Sequence, residues 1–493
     1  MADYRTGEIP QAIVYWKNGT TTLNPGEIDS NFSQFTHSPG ESEIEQLQLD
    51  GTWNNSVFEI PLVNVKFGVA MTDQTMGGSS GWSGLRRPMR IRMRTACDAD
   101  GLLVAQADSQ PEPGAIAVSG FPMVLDDIHF RGHNLLARWE RQSANGDTLT
   151  LQYYFDHTQR TVPPTFAEEL SIHDLQLQQV FAPMGRHTLA WGLNYRHSVD
   201  RLTNSAIIAF LPAREQQKWV ALHVQDDIRL GEASTLTAGV RLEHNDYTGT
   251  EVLPNLRWSW KASENQLLWA AVSRAVRAPS RLDVDAYIPG QPPYLLDGGR
   301  GVRAEVADVV ELGWRGRIGD SVSLSATAFH TRYDHLRTQE IDPSFTFLVF
   351  DSQMEGEVSG LELWGTWQVR PSWRLHGGLV LQDTQLRLKP GSNDFGAIAA
   401  EGHDPSSHWQ LRSSWTLAER HELDLALRHV ARLDRWDIPA YTTLDLRYGW
   451  RLRPDLELSV AAHNLFDDHG EYRDAVYRTQ HEPRAFAQLR WEF

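Results

Sequence analysis

From about residue 133 to its end, the chain repeats one pattern: apolar and polar residues alternate over short segments separated by turn-forming residues. Leu149, Leu151, Tyr153 and Phe155 alternate with Thr150, Gln152 and Tyr154. Leu189, Trp191, Leu193 and Tyr195 alternate with Ala190, Gly192, Asn194 and Arg196. The same rule holds at Leu236–Leu242, Leu256–Trp260, Val322–Ala326, Leu361–Trp367, Leu423–Leu427 and Leu444–Trp450. Period two places successive side chains on opposite faces of a strand, so each segment predicts a strand with one apolar face. That many apolar faces need either a very large sandwich core or lipid. The opposite faces carry Arg, Glu, Lys, Asp and Gln in nearly every strand, which suits a wide watery lumen as well as a solvated sheet.

The connections decide between these. Tight ones fall at 145–147, 184–186, 232–234 and 264–265, and long polar ones at 204–215, 278–303, 390–406 and 467–484. Short and long connections alternate, as they must when strands run up and down between a short-turn rim and a long-loop rim. A jelly roll or sandwich does not enforce that order. Roughly sixteen or seventeen strands follow residue 133 and about four to six precede it, near the 22-stranded class of outer-membrane transporters. The predicted fold is therefore all-β: a large antiparallel transmembrane β-barrel of about 22 strands, with short periplasmic turns and long extracellular loops.

Composition agrees. With 41% apolar residues and a mean hydropathy of -0.43, the chain has no apolar stretch long enough to span a bilayer as a helix. Barrel strands need only about 9–11 residues, half of them polar. The 18 Trp, 13 Tyr and 18 Phe are enough for interfacial aromatic girdles, and they also fit a soluble, secreted glycan-binding β-protein. A net charge of -17 without a basic stripe argues against nucleic acid. The single cysteine, Cys97, excludes an internal disulfide framework. The opening MADYRTGEIPQ has no charged segment followed by an apolar one, so no signal peptide is recognisable in the chain as given.

At the other end, AFAQLRWEF places Ala485, Ala487, Leu489, Trp491 and Phe493 on one face and Gln488, Arg490 and Glu492 on the other. Termini fray unless tied down, so this strand is expected to be paired. Upstream, EIEQLQLDGTW (43–53) and VNVKFGVAMTD (63–73) read as a strand pair, whereas alternation fails between about 76 and 128. The chain thus divides into 1–127, early barrel strands plus an irregular region that is either a long external loop or a chimeric or misassembled join, and 128–493, the regular barrel.

Several segments in the second part resemble the C-terminal barrel of TonB-dependent outer-membrane receptors. They are SRAVRAPS (273–280), Glu305 through Glu311-Leu312-Gly313-Trp314, HNLFDD (463–468) and the closing Trp-Glu-Phe. NLLARWERQ followed by NGDTLTLQYYFDHTQR resembles an early strand pair of the iron-chelate branch. The resemblance implies a monomer in the lipid bilayer of the bacterial outer membrane that takes up a scarce ligand such as a ferric siderophore. It also implies a plug domain driven by the TonB energy-transducing complex, and a last strand read by the outer-membrane assembly machinery. No plug or TonB-contacting box is recognisable, so a sequence truncated at its 5′ end is the first expectation and a plugless passive porin the alternative.

Candidate site residues follow. The resemblance and the charge pattern mark Arg274, Arg277, Glu305 and Glu311 as lumen charges that hold a plug or steer anions; the plainer reading is structural ion pairing. Tyr287, Tyr294 and Trp436 lie in or beside long loops, where they either stack on an aromatic ligand or pack the loop. Leu489, Trp491 and Phe493 mark the closing strand. His330 and His335 lack metal-ligand spacing. No nucleophile elbow, P-loop, HExxH or dinucleotide fingerprint is present, so no enzyme, metal or cofactor is expected.

Overall fold

The computed structural model describes residues 128–492, apart from 345, 397, 399–401, 436, 467 and 472–479. Before them it describes strand segments within residues 2–125, with side chains at 47–50 and 66–75. Trp436 and Phe493 therefore lie outside the described residues.

The alternating segments pair into a closed ring of 22 strand segments. In chain order these are β1 (Ser42–Asn55), β2 (Val63–Met76), β3 (Ile128–Gln142), β4 (Thr148–Val162), β5 (Phe166–Val180), β6 (His187–Thr203), β7 (Ala209–Phe210) and β8 (Arg214–Arg229). They continue as β9 (Ser234–Asn245), β10 (Gly249–Ser263), β11 (Gln266–Arg277), β12 (Ala286–Ile288), β13 (Leu296–Asp297), β14 (Glu305–Ile318) and β15 (Val322–Ile341). The ring ends with β16 (Leu348–Arg370), β17 (Trp373–Leu388), β18 (Ser407–Ala418), β19 (His421–Val430), β20 (Tyr441–Arg453), β21 (Leu456–His463) and β22 (Arg484–Trp491). The total agrees with the sequence expectation, although its make-up differs. Three of the 22, β7, β12 and β13, are only two or three residues long and belong to loops; the remaining nineteen form the wall.

The expected early pair is β1 against β2, and β2 joins the wall against β3, with Val69 opposite Leu135. Two small sheets lie off the ring: Phe32–His37, which precedes β1, pairs with Ser79–Gly84, which pairs with Val124–Leu125, and Met93–Cys97 pairs with Leu103–Ala107. The second of these sheets and part of the first come from the region where alternation fails.

Register explains the wall. Opposed residues share a face, and apolar positions meet apolar positions from strand to strand: Leu151, Leu177, Leu193, Leu222, Leu242 and Val252 form one unbroken row across β4–β10. Farther round, Leu363 meets Leu379, Leu411 meets Leu427, and Tyr448 meets Val460, which meets Ala487 on the closing strand. Many of these side chains are exposed, among them Leu193, Leu222, Leu242, Leu411 and Val460. The buried apolar cluster, by contrast, is small and sits at the long-loop rim. A sandwich would bury this band inside itself. An exposed apolar belt around a closed ring instead has lipid as its partner.

Aromatics edge the belt near the short turns. Trp258 and Trp260 stack at 6.3 Å, Trp373 and Trp415 at 5.6 Å, and His421 lies against Trp450 at 5.8 Å. Trp491 opposes Leu456 on the same outward face. Amphipathic rings at the edge of an apolar band are what a membrane interface selects. Among the described residues no helix is long and apolar enough to cross a membrane, so the crossing elements are the strands.

The inner face is polar and cross-linked. Arg196 pairs with Asp174 at 2.8 Å, Arg241 with Glu243 at 2.8 Å and Arg138 with Glu140 at 2.9 Å, while Arg447 reaches Asp424 at 3.0 Å and also contacts Glu457. Charges on a wall facing water retain hydration while holding neighbouring strands together.

Candidate functional site: the long-loop mouth

The long connection between β11 and β14 begins with Ser280, which caps a five-residue helix, α1 (Arg281–Asp285). Asp283 at the third helical position accepts hydrogen bonds from the Ser280 backbone N–H at 2.8 Å and hydroxyl at 2.9 Å, a capping box with Asp in the usual Glu position. Asp283 is 1% exposed and also receives Arg337 Nη1 at 2.6 Å, with Arg277 Nη1 at 3.5 Å. Burial pushes its carboxyl upward, but the Ser280 N–H and hydroxyl and the Arg337 guanidinium outweigh that, leaving it below the usual carboxylate range.

Arg277 also makes a two-pronged contact with Glu305, Nε to Oε2 at 2.6 Å and Nη2 to Oε1 at 2.8 Å. On the far side of α1, Arg281 pairs with Asp200 and, through Nε, with Asp285 at 2.8 Å. Tyr247 donates to Asp285 at 2.8 Å. Burial first, and then that acidic neighbour, hold the Tyr247 phenol above its ordinary range, so it stays a donor.

These contacts seat a small sheet made of loop segments. Ala209 and Phe210 of β7 pair with Tyr287 and Ala286 of β12, β12 pairs with β13, and Leu296 of β13 pairs in parallel with Leu348 of β16. The sheet is a chord that ties the loop after β6 to the start of β16. Beneath it Leu202, Phe210 and Ala286 form the buried cluster, with Phe166 and Ile208 against them. Leu202 and Phe166 fall on the inward parity of β6 and β5, so the chord packs on the lumen side of the rim.

The sequence-derived candidates separate on this geometry. Arg277 and Glu305 meet on the inner side of the mouth. Arg274 does not join them: it shares the parity of Val272, an exposed residue of the apolar belt, and so lies on the outer face, bonded to Asp308 twice at 2.7 Å. Glu311 is on the inner face, opposite Ala271 and Phe329, and has no cation partner among the described residues. Tyr287 is 5% exposed, and its ring lies 4.9 Å from that of Tyr294, so both are part of the chord's packing. Leu489 and Trp491 face outward on β22, paired with Leu458 and Leu456. His330 bonds Ser359 at 2.8 Å and His335 bonds Arg303 at 2.8 Å; among the described residues no group of three or more potential ligands could hold a metal.

Asp283, Arg281, Arg337, Asp200 and Tyr247 were not marked by sequence reasoning. The local signal was Ser280-x-x-Asp283, a capping box; the partners come from positions 38 to 81 residues away, beyond any local pattern. At the opposite end of the lumen, Arg315, Ser325, Trp364, Thr366, His376 and Arg412 line an inner-face recess of about 510 Å³ near the short turns.

Comparison with known proteins adds the family. The pattern described as TonB dependent receptor-like, beta-barrel matches residues 12–465. The iron-regulated outer membrane virulence protein of Vibrio cholerae (Classical Ogawa 395) is 21% identical over 376 residues, which cover 71% of this chain and 56% of that protein. The chain thus spans little more than half the length of that relative. Among solved structures, the siderophore receptor PirA from Pseudomonas aeruginosa matches with a TM-score of 0.56 and 16% identity over 93% of this chain and 79% of that one. PirA from Acinetobacter baumannii matches with a TM-score of 0.60 and 12% identity over 94% and 80%. A barrel with an outer apolar belt, a charged lumen and a loop-built mouth, matched by that pattern along most of its length, belongs to the TonB-dependent receptor-like β-barrel family.

Proposed function

We propose that this chain forms the wall of an energy-coupled uptake receptor of the bacterial outer membrane, with a ferric siderophore as its ligand class. The observation that carries the reading is the charged lumen beneath a loop-built mouth, inside a barrel of the TonB-dependent receptor-like family. The names of the Vibrio and Pseudomonas relatives point to iron and siderophores. In this reading the long loops capture the ligand, and a plug domain contacts Arg277, Glu305 and Glu311 and the basic recess around Arg315 and Arg412. The TonB complex moves that plug, and the assembly machinery reads β22 of a monomeric barrel.

The test is uptake of ⁵⁵Fe-loaded siderophores by iron-starved cells carrying the gene at its own locus, with and without TonB. Saturable uptake that disappears without TonB is the expected result. TonB-independent uptake, together with large steady conductance of the protein in planar bilayers, would replace the receptor by a passive pore. Reading the DNA upstream of Met1 for a signal peptide and a plug checks the same proposal at the level of the gene.

A further inference from the structure

The outer face is not evenly charged above its apolar belt. On β5, β6 and β8 the belt ends in the row Leu175, Tyr195, Val220. The next outward row toward the long loops is His173, His197, Lys218; after Ser171, Val199, Gln216 comes Glu169, Arg201, Arg214. With about 4.8 Å between strands and about 6.8 Å per two residues, the polar rows occupy a patch on the order of 10 Å wide and 14 Å tall. Its lower edge touches apolar side chains, the level at which lipid headgroups meet acyl chains.

Arg201 and Arg214 stand directly opposite one another, a like-charge cross-strand pair that is unfavourable without an anion. Glu169 reaches Arg201 only at 3.5 Å. Among the described residues neither the Arg214 guanidinium nor the Lys218 ammonium has a side-chain partner, and both residues are exposed. Two strands away Arg131, also on the outward parity, is held by Asp73 at 2.9 Å, so that arginine is already compensated. Across the barrel the cations at this level face carboxylates: Arg332 stands between Asp308 and Glu357, Arg274 bonds Asp308 at 2.7 Å, and Arg387 bonds Glu355 at 2.7 Å. Among the described residues, cations left without carboxylate partners at the edge of the belt gather on this arc of the wall, on a chain of net charge -17.

We infer that this arc of β5, β6 and β8 is a binding site for an anionic, phosphate-bearing lipid of the outer leaflet. Arg201, Arg214 and Lys218 hold the phosphate groups, with the His197 imidazole as a further donor, and the acyl chains lie along Leu175, Tyr195 and Val220. Guanidinium groups match phosphate oxygens in two-pronged geometry, and a phosphate between Arg201 and Arg214 removes their repulsion.

The test uses the chain refolded in zwitterionic detergent and measures retained lipid by native mass spectrometry against lipopolysaccharide, phosphatidylglycerol, phosphatidylcholine and inorganic phosphate. Retention of lipopolysaccharide or phosphatidylglycerol over phosphatidylcholine is expected, unaffected by millimolar inorganic phosphate. R201Q/R214Q/K218Q is expected to lower that retention at least tenfold, R201K/R214K/K218R to keep most of it, and R332Q/R387Q across the barrel to leave it unchanged. Heat-modifiable gel mobility verifies that each barrel is folded. Equal retention of phosphatidylcholine, displacement by inorganic phosphate, or undiminished retention by the folded triple-Gln variant would each overturn the site.

Discussion

Arg277 and Glu305 clasp each other by two hydrogen bonds, 2.6 and 2.8 Å, across β11 and β14, at the two ends of the longest connection between them. The pair closes the base of the loop that carries α1, and Arg277 also faces the buried Asp283. The loop's position over the mouth therefore rests on groups at its own roots.

Removing that clasp should loosen the loop and leave the wall intact. Arg277 is half exposed, so solvent screening limits the pair to roughly 1 kcal/mol or less. Arg277→Gln is expected to speed hydrogen exchange in residues 278–304 several-fold while exchange in β17–β20 stays unchanged. Equal acceleration throughout the wall would show that the pair supports the barrel and not the loop.

Acid should release the same loop. The Asp283 carboxyl is held below its ordinary value of 3.8, so its stabilising contribution is fully present above that value and is lost as pH falls through the lowered one. Limited proteolysis of residues 278–304 is expected to be constant from neutral pH down to about 5 and to rise only in stronger acid. In Asp283→Asn that acid step should vanish; an unchanged step would assign it to another carboxylate.

Charge on the outer belt should block assembly where charge on the inner face does not. Leu425 sits in the belt between Ser413 and Leu446, whereas Thr327 faces the lumen opposite Glu362. Leu425→Arg is expected to cost about 2–4 kcal/mol near the bilayer midplane and to reduce the folded fraction in vesicles. Thr327→Arg, with a carboxylate across from it and water beside it, should fold normally. Similar folded yields for the two variants would count against lipid as the partner of the belt.

Gly313 should not tolerate a side chain. A Cβ there would lie 2.0 Å from the Trp269 ring, which covers the glycine from the neighbouring strand on the inner face. Gly313→Ala is expected to displace that indole into the lumen at a cost of about 1–3 kcal/mol, read as a red shift in its emission and a lower unfolding midpoint. Restoration of the midpoint in Gly313→Ala/Trp269→Leu would confirm the clash, and a failure to restore it would place the strain in the backbone.

The wall was legible from residue identity because its signal is local. Alternation assigns each side chain a face, tight and long connections assign each strand end a rim, and both survive without knowledge of partners. The same parity was already enough to place Arg274 and Arg277, three residues apart, on opposite faces, although charge type alone had grouped them. Register and ring closure depend on hydrogen bonds between segments. These form only if every apolar row meets its neighbour, as Leu177 meets Leu193 and Leu193 meets Leu222.

The mouth was decided by tertiary structure. The helix α1 is too short to show a helical period, and β7, β12 and β13 are too short to show alternation. They exist because Phe210, Leu202 and Ala286 bury one another and because Asp200, Asp283 and Asp285 find Arg281, Arg337 and Tyr247 from distant strands. Sequence by itself determined a two-faced wall, since facing is a property of each strand. Which loop segments close over the lumen, and which charges remain open to a ligand, is a property of contacts between strands far apart in the chain.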